Sequence, residues 1–149
     1  GLGPLVRWLP SARVEEMPGL LGSATLMVVP AMDARVRGIH IPRALACGLP
    51  VIASDLPRFA ELLEHDGTGL LVEAGSVEAW SAGLLRASGS PQARRRWGVR
   101  ARLVAEQRLD WALVAREFED LLLAARGPAQ VSGTDERRPE DDSPAEAAG

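Results

Sequence analysis

Cysteine is almost missing from these 149 residues, and lysine, asparagine and tyrosine are missing altogether. The lone Cys47 allows neither an internal disulfide nor a cysteine-based zinc site, which points to a reducing compartment and so to the cytoplasm. With no lysine, all 17 basic residues are arginine, a bias that reads as the signature of a GC-rich, bacterial genome, so a single arginine carries little weight. The net charge of −3 supplies no global basic field, and no nucleic-acid partner is expected. Apolar runs such as Ala24–Ala31 fall far short of the roughly 20 residues that cross a bilayer, and no basic-then-apolar leader opens the chain, although peripheral contact with a membrane stays open. No Ser-His-Asp set, metal-ligand cluster or Gly-rich phosphate fingerprint occurs, so neither metal nor cofactor is expected. The first residue is Gly rather than Met, which suggests a processed, trimmed or partial chain.

What is present suits one domain with one core, because close to half of the residues are apolar. Leu5–Leu9, closed by Pro10, reads as a buried strand, and Val14, Met17, Leu20 and Leu21 as a short helix bent at Pro18-Gly19. Ala24–Val29 and Pro50–Ser54 are apolar without alternation, as parallel strands covered on both faces are. Between them runs a loop, 31 to 41, then a helix from Pro42 to Cys47 that Gly48 can end in a left-handed conformation. A helix beginning near Pro57 carries Phe59, Leu62 and Leu63, Asp66–Gly69 is a turn, and Leu70–Val72 is a further strand. Ser76, Pro91 and Asp110 open three more helices, the last with Trp111, Val114, Ala115, Phe118, Leu121 and Leu122 as its apolar stripe. The expected fold is α/β, a partial doubly wound parallel sheet of about four strands with flanking helices, over residues 1–126. Residues 127–149 are expected to be a disordered acidic tail.

Ligands of such sheets sit outside the carboxyl ends of the strands, against helix N-termini. The loop after Val29 is therefore the leading site, with Arg35, Arg37, Gly38, Ile39 and His40 opening onto the Pro42 helix. Glycine lets backbone approach an anion, and arginine and histidine stabilise negative charge. A solvated basic loop without a ligand accounts for the same residues.

Val28-Val29-Pro30, Gly38-Ile39, the run Ala44-Leu45-Ala46-Cys47-Gly48-Leu49-Pro50-Val51-Ile52-Ala53-Ser54, and Gly67-Thr68-Gly69-Leu70-Leu71-Val72 carry more. Together they resemble the C-terminal, nucleotide-sugar-binding domain of family-4-type retaining glycosyltransferases, the Rossmann-like half of a GT-B fold. Leu109-Asp110-Trp111 resembles the family's Phe-Ser-Trp element. The resemblance implies that two glutamates eight positions apart hold the donor, one on the sugar and one on the ribose diol. Those positions are Arg35 and Arg43 here. Guanidinium has donors and no acceptor lone pairs, so neither can take the protons of a diol as carboxylate does. The reversal has three readings: drift in a domain that no longer binds donor, an altered geometry in which both arginines grip phosphate, or a register shift in which Asp33 stands in for the first acid. Leu45, beside the second position, joins Arg35, Gly38, Ile39, His40 and Arg43 as candidates for binding donor or phosphate. No residue is assigned a catalytic role.

Elsewhere the expectation is structural. Cys47 should be a small core residue, His65 a helix-end residue, and Trp80, Trp97 and Trp111 packing residues. Arg94–Arg96 should be a solvated helix face, with a groove for anionic lipid as the alternative. The resemblance also implies two strands and two helices of the domain that this chain lacks. A UDP- or GDP-linked sugar is thus the implied small-molecule partner, and a chain carrying the missing strands the implied protein partner. Alone the chain is expected not to transfer sugar. The alternative is a non-catalytic phosphate-binding or protein-interaction module, with Leu5–Leu9 paired directly against Ala24–Val29.

Overall fold

A computed structural model describes residues 3–125, except Pro10 and Ala34; the expected tail lies outside the described residues. After short 3-10 turns at Gly3–Leu5 and Val14–Glu16, the elements run α1 (Met17–Ser23), β1 (Met27–Val29), α2 (Ile41–Ala46), β2 (Val51–Ser54), α3 (Pro57–Ala60), β3 (Gly69–Val72), α4 (Val77–Gly89), α5 (Pro91–Arg108) and α6 (Trp111–Ala125). The strands form one parallel sheet in the order β1-β2-β3, with Met27 opposite Val51 and Val51 opposite Gly69. Every residue of β2 is buried, as its unbroken apolar run requires of a central strand.

The pleat divides the side chains between two cores. Val51 and Ala53 face Ile41, Leu45, Phe59 and Val104, whereas Ile52, Leu70 and Val72 face Ala87, Ala93 and Trp97. Helix α5 reaches both, through Ala93 and Trp97 near its start and Ala101, Val104 and Ala105 near its end. It lies so close to the end of α2 that a methyl on Gly98 would collide with the carbonyl oxygen of Gly48. The expected helix signals hold at their sites. Gly48 has a φ of +65°, the Ser76 hydroxyl accepts from the amide of Ala79, Pro91 lies in the first turn of α5, and Asp110 accepts from the amide of Ala112; the Ser90 hydroxyl, not anticipated, accepts from that of Ala93. Pro18 does not break α1, because it falls in the first turn where its missing N–H has no intrahelical partner.

Four expectations are corrected. Leu5–Leu9 is not a strand; all five residues are exposed, with Trp8 at 87%. A strand needs a neighbour to hydrogen-bond, and the outer edge of β1 has none among the described residues, so direct pairing with β1 does not form either. Cys47 is exposed rather than in the core, because α2 ends at Ala46 and the chain turns away at Gly48. Trp111 is 84% exposed and the apolar stripe of α6 is uncovered, whereas Trp97 is buried as expected. His65 caps no helix: its Nδ1 accepts from the amide of Leu71 in β3.

The turn before β3 is tied to α5 by charge. Arg100 holds the Glu64 carboxylate through two hydrogen bonds of 2.7 and 2.9 Å, and Arg108 adds a 3.4 Å contact. Arg86 reaches Asp66 at 2.6 Å. These guanidinium hydrogen bonds, Arg100 on Glu64 and Arg86 on Asp66, hold both carboxyls below the usual carboxylate range.

Candidate functional site

The loop from Pro30 to His40 leaves the carboxyl end of β1, where ligands of parallel sheets are held. Two contacts fix its ends. At its start the buried Ser54 hydroxyl, at the end of β2, accepts from the Ala31 amide at 2.8 Å and donates to the Ala31 carbonyl at 2.7 Å. One side chain thereby satisfies both polar groups of a buried backbone unit. Ser54→Ala leaves that N–H and C=O unpaired, and denaturant titration should show a loss of about 1–3 kcal/mol. A loss below about 0.5 kcal/mol would mean that water replaces the hydroxyl.

At the other end Gly38 adopts a φ of +59°, and a Cβ there would stand 2.6 Å from the Phe59 ring. Its carbonyl accepts from the Ile41 amide at 2.9 Å, which begins α2. Gly38 is thus required by the backbone turn and by packing on α3, whether or not an anion approaches it.

The candidate residues do not converge. Arg35 is 93% exposed at its side chain, and its only acid partner among the described residues is Asp33, at 3.2 Å. Asp33 also accepts from the Arg35 amide at 2.8 Å, so both of its carboxylate oxygens face Arg35. Arg37, Ile39 and His40 are exposed around the entry to α2. Arg43 lines a depression shared with Ala46, Arg102, Glu106, Asp110 and Trp111, of which Arg35 is not a part. Leu45 is fully buried in the core, where its side chain holds α2 on the sheet. Among the described residues, no group of three or more His, Cys, Asp or Glu side chains is placed to hold a metal ion.

The loops after the three strands do meet elsewhere. A concavity of about 310 Å³ is lined by Ala31 and Met32 after β1, Ser54 of β2, Gly75 and Ser76 before α4, and Trp80. Neither this meeting point nor the Ser54 latch was legible from residue type. The available signal was that Ser54 and Ser76 are small hydroxyl residues at the carboxyl ends of apolar runs.

The family model described as "Glycosyl transferases group 1" matches residues 1–104. The chain belongs to that family. It is 32% identical over 118 residues to the phosphatidyl-myo-inositol mannosyltransferase of Mycobacterium leprae, covering 79% of this chain and 31% of that protein. To the alpha-maltose-1-phosphate synthase of Mycolicibacterium smegmatis it is 33% identical over 115 residues, 73% of this chain and 29% of that one. Among solved structures, the sucrose-phosphate synthase of Thermosynechococcus elongatus superimposes with a TM-score of 0.74 at 28% identity, over 83% of this chain and 32% of the other. Anabaena Alr3699/HepE, solved with UDP-glucose, shares the fold at a TM-score of 0.67 and 23% identity, over 73% of this chain and 30% of its own. The chain is therefore part of the C-terminal, Rossmann-like domain of a group 1 glycosyl transferase of GT-B fold. It spans about a third of the length of these relatives. Its expected four strands are three, for the reason given at Leu5–Leu9.

Proposed function

We propose that this chain is a donor-domain piece of a glycosyltransferase that does not transfer sugar by itself, and whose partner small molecule is a UDP- or GDP-linked sugar. The observation that carries the reading is the pair Arg35 and Arg43. Both stand where the resemblance places carboxylates, both are exposed, and Arg43 lines a depression that Arg35 does not. The nearby acid, Asp33, is paired with Arg35 at 3.2 Å. A ribose diol meeting a guanidinium at the second of these positions, Arg43, finds no acceptor for its hydroxyl protons. UDP-glucose in the solved Anabaena structure supports a nucleotide-sugar as the class of ligand.

The outer edge of β1, unpaired among the described residues, supports a partner segment that carries the missing strands. Val28, on that edge strand, is exposed on the face where Ile52 is buried beside it. A strand from the remainder of the polypeptide, or from a partner chain, would cover it. The single cysteine favours a cytoplasmic setting for the assembly.

The test is a hydrolysis and transfer assay with UDP- and GDP-linked sugars, run beside ligand titration. The expected result is no turnover by the chain alone. Turnover above that of an Arg35→Ala/Arg43→Ala variant would overturn the proposal. Saturable binding at millimolar nucleotide-sugar that the same variant abolishes would favour the phosphate-gripping reading of the arginines. Turnover gained on mixing with a chain carrying the missing strands would trace the loss to those strands and away from the arginines.

A further inference from the structure

Helix α5 carries six arginines, at positions 94, 95, 96, 100, 102 and 108, against a single acid, Glu106. Four of the six are occupied. Arg94 donates to the carbonyls of Ala87 and Ser88 at the end of α4, Arg100 and Arg108 hold Glu64, and Arg102 is shared by Glu106 and the Ala46 carbonyl. Arg95 and Arg96 are exposed and engage no acid or carbonyl among the described residues. Beside them Val99 and Leu103 break the polar face, at 66% and 41% exposure.

Arg95, Val99 and Leu103 form one wall of a groove of about 680 Å³ between α5 and the segments that precede β1 and β2. Its floor is apolar, with Leu21, Leu49 and Pro50. Arg94, Arg95 and Arg102 stand among its lining residues, and no Asp or Glu does. Pro50 immediately precedes β2, so the groove lies at the amino ends of the strands, away from the loop that follows β1. An apolar cleft rimmed by cations selects a ligand that alternates acidic and small apolar groups.

We propose that this groove is the docking site for the chain's own C-terminal segment, residues 127–149. That segment has six acidic residues against two arginines, a net charge of −4, and places Pro139, Pro144 and Ala145 around the run Glu140-Asp141-Asp142. The acids match the rim and the prolines and alanine match the floor. Its reach is sufficient by covalent geometry. From the end of α6 back along α6 and α5 to Arg95 is at most about 52 Å at 1.5 Å per helical residue. The 16 residues from Ala125 to Asp141 span up to about 55 Å when extended. Carried on the same chain, the segment meets the groove at an effective concentration in the millimolar range, which lets individually weak ion pairs suffice. Docking there is independent of whether the loop after β1 binds a nucleotide-sugar.

Cys47, exposed on the groove wall and the only cysteine, is a built-in reporter. Its alkylation by the uncharged reagent N-ethylmaleimide should be about fivefold faster in a chain ending at Arg126 than in the full chain at low salt, as a segment docked about four-fifths of the time requires. A synthetic 127–149 peptide should slow the shortened chain again. Arg95→Glu/Arg96→Glu, or salt at about 0.5 M, should bring the full chain up to the shortened chain's rate. Equal rates in the two chains at low salt overturn the proposal. So does protection of Cys47 by phosphatidylglycerol vesicles with no effect of truncation, which would assign the groove to an anionic membrane instead.

Discussion

Gly69→Ala should leave the chain without a cooperative fold. Gly69 opens β3 directly opposite Val51, and a Cβ at this position would overlap the Val51 carbonyl oxygen and stand 2.7 Å from its carbonyl carbon. The obstacle is main chain of the central, fully buried strand, so no rotamer change relieves it. Its φ of +155° adds strain for any side chain. Separating β2 from β3 enough to admit a methyl would break the ladder and open both cores, because Val51 packs on one side and Ile52 on the other. The expected loss exceeds about 4 kcal/mol, a large share of the roughly 5–15 kcal/mol that holds a small domain together. Circular dichroism under denaturant titration checks it. A variant that melts within about 1 kcal/mol of the parent would show that the sheet tolerates a wider opening here than the register implies.

Trp97→Ala is the second large effect. The indole is 1% exposed and fills the core made by Ile52, Leu70, Val72 and Ala87. Removing it leaves a cavity under both α4 and the sheet, which costs about 3–5 kcal/mol. A polar contribution comes on top. The Trp97 Nε1–H donates to the Asp66 carbonyl at 3.0 Å and to its carboxylate at 3.1 Å, while the Arg86 guanidinium lies 5.7 Å from the ring centroid and holds the same carboxylate. Asp66 sits at a φ of 58°, a conformation that a non-glycine residue keeps only when its surroundings hold it. Trp97→Phe keeps most of the apolar volume and loses the donor, so it should cost only about 1–2 kcal/mol. The difference between the two variants in urea titrations separates packing from hydrogen bonding. Equal losses for Ala and Phe would mean that the indole N–H, not the ring, carries Trp97's contribution.

These two positions bear on what was readable in advance. The Gly67-Thr68-Gly69 turn and the apolar run after it were legible because turn chemistry and strand periodicity are local. That Gly69 specifically must lack a side chain was not, since the obstructing atom belongs to Val51, eighteen residues earlier. Trp97 was expected to pack because it falls among apolar residues at helical spacing. The same reasoning assigned packing to Trp111, which is exposed. Periodicity identifies the apolar face of a helix but does not supply the surface that covers it.

The candidate site divides in the same way. Arg35 and Arg43 were legible as a reversal of charge because their spacing relative to Gly38 and to Ala44-Leu45-Ala46 is a property of the chain. Whether they act on one ligand was not legible. Arg43 lines a depression together with residues of α5 and α6, while Arg35 is exposed beside Asp33. Likewise the Ser54 latch joins residues 23 apart in sequence, and no local signal announces it.

By itself, the sequence determined the order of elements after Leu9, the parallel character of the sheet, the caps at Ser76 and Asp110, Pro91 in the first turn of α5, the left-handed stop at Gly48 and membership in a glycosyltransferase lineage. Each of these rests on backbone preference, on periodicity or on contiguous motif residues, all of which act within a few positions. Tertiary structure decided that Leu5–Leu9 is no strand, that Cys47 faces a groove, that Leu45 is core, and that the two arginines of the donor motif part company. Those outcomes depend on which surfaces meet. An apolar segment becomes a strand or a core only if another segment pairs with it or covers it.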